Sequence, residues 1–433
     1  MSTHIKYLRL YLHTPDGSKR AIGYLSAFGD ILRVSFDDDY IQDEKRPALS
    51  LNYRGATEPD TRAILSAARD RRLTSNDGRW PAYFQNLLPE GHNRDRLAQE
   101  RGCDKDDEFE LLAAAGHDLM GAVEVEPVPR DEGIPQSVHR WHVAMGLDVL
   151  EPGFVGFPVE DAAALPGVVT KFSAIQEGRR YVVRRQGRAG SYILKLPSTR
   201  HPDLAEIEAM GFALCNSLGL DCAHAQLISR EQAELPEHIQ FETLLAVKRF
   251  DRTDDGGRVH MEEFAQMLGY TPKQKYGTDM LRDYGQMLRV LDQFSSRPAP
   301  DTKEFLLRFV AYILMGNTDA HLKNWALIYP DGTTPRLAPV YDPVSVSSFF
   351  AGAAPQDYAL NRAIDAKLSV LSWVDIEGLM KAGGLRRTSN LLRQCKALVN
   401  QAKAEWPAML KDAPPAMAAE VMARLGGTVA LCG

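Results

Sequence analysis

The chain has 433 residues, 44% of them apolar and 25% charged, with a formal net charge of −6. That length holds two or three domains with ample core, and the acidic balance excludes an overall basic footprint for wrapping nucleic acid. Five scattered cysteines, Cys103, Cys215, Cys222, Cys395 and Cys432, predict reduced thiols of a cytoplasmic protein. The N-terminus carries no basic-then-apolar leader, and no apolar run approaches the roughly 18 residues of a membrane span.

Residues 5 to 55 alternate apolar and polar in short pieces, such as Tyr7–Leu12 and Ile31–Phe36, punctuated by Gly17 and Gly29. This predicts a small antiparallel sheet with one buried face. Residues 60 to 125 turn helical, through Ala63–Ala68, Tyr83–Leu88 and Phe109–Ala114, with Pro89-Glu90-Gly91 breaking the middle run. Residues 126 to 166 carry Pro127, Pro129, Pro135, Pro152 and Pro158 and read as a connector. Strands are predicted at 168–175, at Tyr181-Val182-Val183, at Ser191–Leu196 and over Leu244–Arg252. The arginine pairs Arg179-Arg180 and Arg184-Arg185 read as a solvated face. From about residue 260 the pattern is mainly helical, including His260–Leu268, 279–295 and 303–315, and helices recur from about 357 to 426. No repeat of fixed period is present.

The chemistry concentrates in Gly316-Asn317-Thr318-Asp319-Ala320-His321-Leu322-Lys323-Asn324. An apolar segment at helical spacing precedes it, and Gly316 and Asn317 stop that helix. Trp325–Tyr329 reads as a strand, Asp331-Gly332 as its turn, and Leu337–Tyr341 leads to Asp342. A hairpin would bring Asp319 and Asp342 together. Phosphoryl transfer from a metal nucleotide needs one carboxylate to orient the attacking hydroxyl, and a second carboxylate with an amide oxygen to hold Mg²⁺. Two other readings stay open on these residues: a plain surface loop, and a metal-dependent hydrolase using Asp319, His321 and Asp342.

Lys195 interrupts an otherwise apolar strand, so it either snorkels at an edge or meets an anion. A phosphate-binding lysine needs a carboxylate from the following helix. Glu208 is the first candidate and Glu206 the second. Phe250, after the strand ending at Lys248, packs against a base or fills a lobe interface.

These stretches resemble the HipA family, serine/threonine kinases that act as toxins in bacterial type II toxin–antitoxin pairs. The motif at 316–324 with Pro339-Val340-Tyr341-Asp342 carries the likeness most specifically. Tyr192–Pro197, Lys248–Arg252, His260–Gln266, Tyr83–Gly91 and Phe109–Gly116 extend it over nearly the whole chain. The resemblance implies an α+β, two-lobed protein-kinase-like fold. Residues 1–150 would be a β-rich N-terminal subdomain with its connector, 151–252 the N-lobe, and 253–433 a helical C-lobe. It implies Asp319 as catalytic base, His321 in the catalytic loop, and Asn324 and Asp342 on Mg²⁺. Lys195, partnered by Glu208, would bind the ATP phosphates, and Lys248 and Phe250 would lie at the adenine linker. It also implies a helix-turn-helix antitoxin (HipB-like) that carries the DNA contacts, and an aminoacyl-tRNA synthetase as protein substrate. A degenerate kinase kept as an antitoxin-binding co-repressor is the alternative.

Two departures stand out. The family's phosphate loop reads Gly-x-Gln-x-Lys, whereas here Gly167-Val168-Val169-Thr170-Lys171 has Val169 in place of the glutamine. The stretch Ala162–Pro166, where some members carry a self-phosphorylated serine, has no hydroxyl. That switch is expected to be absent, or moved to Ser173.

Overall fold

The computed structural model describes residues 4–144, 146, 151–167, 169–236, 239, 241–350, 359–386 and 388–433. The N-terminal sheet runs in the order β4-β3-β2-β1-β5, with β6 pairing β1. Its strands are β1 (His4–His13), β2 (Lys19–Phe28), β3 (Ile31–Phe36), β4 (Thr74–Ser75), β5 (Val123–Pro127) and β6 (Glu151–Pro152). Leu8, Leu10 and Leu12 alternate along β1 and are fully buried, because successive strand residues face opposite sides. They pack with Leu111, Leu112 and Phe109 of the helix Glu108–Ala115. The predicted helix Tyr83–Leu88 is only Ala82–Gln85, and a second helix, Gly91–Arg101, starts beyond Pro89.

The stretch 126–166 is more structured than a connector. It contains the helix Gln136–Ala144 and β6. Val159 N–H donates to Ala114 O at 2.9 Å and Ala164 N–H to Asp118 O at 3.2 Å, so its later part is laid along the N-terminal core.

The second sheet runs β10-β12-β9-β7-β8-β11. Its strands are β7 (Lys171–Glu177), β8 (Arg180–Val182), β9 (Tyr192–Lys195), β10 (Ala225–Ser229), β11 (Ala233–Glu234) and β12 (Thr243–Lys248). The first strand starts at Lys171, not at 168, and Val168 lies outside the described residues. Lys195 pairs with Lys171 on one side and Leu245 on the other, so β9 is interior and the edge-snorkelling alternative falls. The helix Leu204–Ser217 crosses this sheet towards the third unit. An added Cβ on its Gly211 would stand 1.8 Å from Pro343 O, so only glycine permits that approach.

The third unit is built around the helix Pro298–Met315, in which Phe305, Leu306, Phe309, Val310, Ile313 and Leu314 are all buried. A helix apolar on nearly every face belongs in a core, and each such side chain contributes about 1.5–3 kcal/mol on burial. Gly316 ends it in the left-handed region, at φ +74°, as a glycine cap does. Beside it lies a small sheet of β13 (His260–Glu263), β14 (Ala326–Tyr329) and β15 (Arg336–Leu337). The helical reading of His260–Leu268 is therefore half wrong: its first four residues are a strand and only Phe264–Met267 is helical. Tertiary pairing with β14 overrides local propensity there. Glu262, fully buried, accepts from Ser50 Oγ at 2.6 Å and Leu51 N–H at 3.0 Å. Further helices occupy Ala359–Ser369, Trp373–Ala382, Thr388–Met409 and Pro415–Ala423; the predicted helix onset at 357 lies outside the described residues.

A buried ion network joins the first two sheets. Asp118 accepts from Arg185 at 2.8 Å, Arg249 at 2.7 Å, Arg252 at 3.2 Å and Ser173 Oγ at 2.6 Å. Burial alone would raise the Asp118 carboxyl, but Arg249, Arg252 and Arg185 outweigh it and hold it far below the usual range. Arg185 is thus not a solvated residue: its side chain is fully buried. The strand expected over Leu244–Arg252 ends at Lys248 because its terminal arginines turn into this network. No helix among the described residues is long and apolar enough to cross a membrane.

Candidate active site

The loop after Gly316 is held by its own backbone and by the core beneath it. Tyr284 Oη and Trp325 Nε1 both donate to Ala320 O, at 2.5 and 3.2 Å. Asn324 Nδ2 donates to Asp319 O at 2.8 Å, and His321 N–H to the same oxygen at 2.7 Å. Because its N–H₂ is committed to the loop, the Asn324 side chain has its amide oxygen to offer a ligand. Asn317 Nδ2 reaches Asp342 O at 3.4 Å, tying this loop to the end of the hairpin. Asp319 is one-third exposed and can be reached by a second molecule.

The His321 side chain is buried, and burial first, then Lys275 and Lys323, draw its imidazole down to about 4, against the opposing pull of Asp319. It is neutral at pH 7. Its Nδ1 accepts from Lys323 N–H at 3.3 Å, and its Nε2 stands 4.0 Å from Asp319 Oδ2.

Across the cleft, Lys195 Nζ contacts both Glu208 and Asp342. Glu206 does not make this contact; Glu208 does. Burial draws the Lys195 ammonium down to about 8, with Glu208 opposing. Asp342 has φ +55°, a region that non-glycine residues seldom occupy and that costs on the order of 1–3 kcal/mol. The fold thus holds this carboxylate in a strained turn, facing the lysine.

The slot between these groups has apolar walls at Leu165, Ile193, Val247 and Met261. Lys248 and Phe250 line it too. Phe250 packs on Tyr341 with ring centroids 5.6 Å apart, while Lys248 Nζ pairs outward with Asp254 at 2.5 Å. Gly167, at φ +98°, and Lys171 form its roof. Lys171 Nζ donates to Pro166 O at 2.6 Å and is buried, which lowers its pKa. Ser173 is buried and donates to Asp118. It cannot serve as a relocated phosphorylation switch without breaking the ion network.

Three contributors escaped the sequence reading. Glu90, from the N-terminal third, pairs with Lys323 at 2.9 Å and Lys275 at 3.0 Å. Asn93 Nδ2 donates to Val169 O at 2.8 Å, and its Oδ1 accepts Lys171 N–H at 3.1 Å, which pins the glycine loop from below. Tyr276 Oη donates to Asp319 Oδ1. The one available signal was Glu90 itself, a charge between a proline and a glycine at the end of an apolar run.

Among the described residues no group of three or more His, Cys, Asp or Glu side chains gathers to hold a metal. That argues against the hydrolase alternative, whose metal would take Asp319, His321 and Asp342. The set of one carboxylate and one amide oxygen, Asp342 and Asn324, suits a hard ion that keeps most of its waters.

A β-rich lobe carrying a buried lysine–glutamate pair, over a helical lobe carrying the Asp319 loop, is an α+β kinase-like fold. Residues 163–406 match the model of the HipA-like C-terminal domain and residues 17–126 that of the HipA N-terminal domain. The chain belongs to the HipA family. It is 33% identical to the protein Y4dM of Sinorhizobium fredii over 393 residues, covering 89% of this chain and 88% of that one. It is 26% identical to the serine/threonine-protein kinase toxin HipA of Shewanella oneidensis over 288 residues, 62% of this chain and 63% of that one. Its fold also matches a chain in the structure of the Shewanella oneidensis HipA, HipB and operator DNA complex. That match has TM-score 0.64 and 21% identity, and covers 98% of this chain and 96% of that one.

Proposed function

We propose that this chain is a Mg²⁺-ATP-dependent serine/threonine protein kinase acting as the toxin of a type II toxin–antitoxin pair. The observation that carries the reading is the convergence of Lys195, Glu208, Asp342, Asn324 and Asp319 on one cleft. A surface loop has no need of that set. Lys195 neutralises phosphate charge while Glu208 keeps its ammonium in place. Asp319 orients the acceptor hydroxyl and takes its proton. Asn324 and Asp342 would hold Mg²⁺, which supplies charge neutralisation to the phosphates. To do so, Asp342 would give up its contact with Lys195.

The family resemblance supplies the rest of the reading. A helix-turn-helix antitoxin of the HipB kind is the partner, and DNA is met only through it. An aminoacyl-tRNA synthetase is the expected substrate, in the cytoplasm. Val169, in place of the loop glutamine, favours the second reading, a co-repressor without phosphoryl transfer.

The test is transfer from labelled ATP with Mg²⁺ to proteins of a cell lysate, comparing wild type with Asp319→Asn. One discrete band labelled by wild type alone supports the kinase and delivers its target to mass spectrometry. No transfer, together with absent ATP binding, selects the co-repressor.

A further inference from the structure

The Asp319 carboxylate already holds a hydroxyl. Tyr276 Oη donates to its Oδ1 at 2.5 Å, and the tyrosine ring meets His321 edge-on with centroids 5.3 Å apart. The backbone next to it is fastened to the same loop, since Leu322 N–H donates to Lys275 O at 2.9 Å. Beside the ring lies a second cavity, which shares Lys275 and His321 with the nucleotide slot. Tyr276, Thr278, Asn317, Thr318, Lys367 and Leu368 line it. Thr318 is only 2% exposed, yet its Oγ1 has no hydrogen-bond partner among the described residues. A buried hydroxyl left without a partner costs on the order of 1–3 kcal/mol, so it is a place for a ligand's polar group. Asp283 also borders the cavity, but its carboxylate is taken up by Tyr270 Oη at 3.1 Å and Thr278 N–H at 3.0 Å. Lys367, on the helix Ala359–Ser369, is exposed at the rim.

We propose that this cavity receives the acceptor residue of a protein substrate, and that Tyr276 occupies the acceptor-hydroxyl position until the substrate displaces it. The inference rests on the kinase reading above. The occupant is a polypeptide segment presenting a serine or threonine with an acidic residue close by. Thr318 Oγ1 meets its backbone, and Lys367 meets the acid. In the transfer the acceptor oxygen forms its bond to the γ-phosphorus as the bond from that phosphorus to ADP breaks. The hydroxyl proton passes to Asp319. Until Tyr276 moves, Asp319 Oδ1 is filled and takes no proton from substrate or water, although the carboxylate is one-third exposed. The device would suppress idle hydrolysis of ATP.

The experiment uses the full chain as wild type, Tyr276→Phe and Lys367→Glu. It measures Mg²⁺-ATP hydrolysis with water as acceptor, phosphoryl transfer to dephosphorylated casein (an acidic protein), and the Kd for ATP. Tyr276→Phe is expected to hydrolyse ATP about threefold faster or more, and Lys367→Glu to raise the KM for casein by about threefold or more with kcat little changed. Unchanged or slower hydrolysis by Tyr276→Phe with ATP still bound overturns the inference and leaves the kinase reading standing. So does a KM for casein that Lys367→Glu does not move. Failure of the wild type to bind ATP overturns both.

Discussion

Lys195 carries its charge under two opposing influences, burial that expels it and Glu208 that retains it. With the ammonium drawn down to about 8, it is charged below that pH and lost above it. The expected outcome is a kcat/KM for ATP that falls about tenfold per pH unit above pH 8, read from a pH–rate profile; a flat profile to pH 9.5 would reject the role. Glu90 works in the opposite sense. Burial would raise its carboxyl, but Lys323 and Lys275 outweigh burial and hold it at about 2, against an ordinary value near 4.5. A depressed carboxyl contributes stability that is present above its unfolded pKa and disappears as pH falls through the folded one. The window is pH 4.5 down to 2, and the size is about 3 kcal/mol. Denaturant unfolding of Glu90→Gln should therefore show about 3 kcal/mol less stability at pH 7 and a shallower acid slope. Equal slopes in variant and wild type would show that the two lysines do not hold this carboxylate.

Among the elements, the glycine loop at 167–171 has no helix N-terminus of its own to shape it, and Asn93 does that work from the helix Gly91–Arg101. Asn93→Ala removes its three hydrogen bonds to the loop, at Gly167 O, Val169 O and Lys171 N–H, and should raise the KM for ATP about tenfold, with a smaller change in kcat. Steady-state kinetics in ATP check this, and an unchanged KM would mean the loop is shaped elsewhere. Elements of this kind mark the limit of what the sequence discloses. The Asp319 loop was legible because its polar groups fall within nine consecutive residues, between a helix with buried periodicity and a strand. Lys195 and Glu208 were legible because a lysine in an apolar strand demands a partner, and the next helix offers one. Glu90, Asn93 and Tyr276 reach the cleft from distant segments, where a single polar residue has no local pattern. β13 was misread because its pairing partner lies more than sixty residues on, at β14. Arg185 was misread because charge runs are ordinarily solvated, and only tertiary structure supplies its buried counter-ion, Asp118.

The whole molecule is held across its first two sheets by Asp118. Replacing one member of a buried ion pair leaves the others uncompensated and costs about 3–5 kcal/mol. Here Arg185, Arg249 and Arg252 all pair with it, the last two sharing it with Asp251. Asp118→Ala is expected to lower stability by at least that amount, read from chemical unfolding with intrinsic fluorescence, and a loss below 1 kcal/mol would show that the joint is not held by charge. The pH dependence of this joint is confined to strong acid, because the carboxyl stays ionised far below its usual range.

The distribution of the cleft's parts along the chain has a consequence for how the protein is made. Glu90 and Asn93 leave the ribosome early, and Asp342 only after β15. At about 5–20 residues per second, many seconds separate the two ends of the same site, and contacts of such long sequence separation are slow to close. A nascent or prematurely released chain ending before Asp342 has the lysine and the loop roof but not the carboxylate that faces them. Synthesis itself therefore sets a delay between the first structured domain and the first competent cleft.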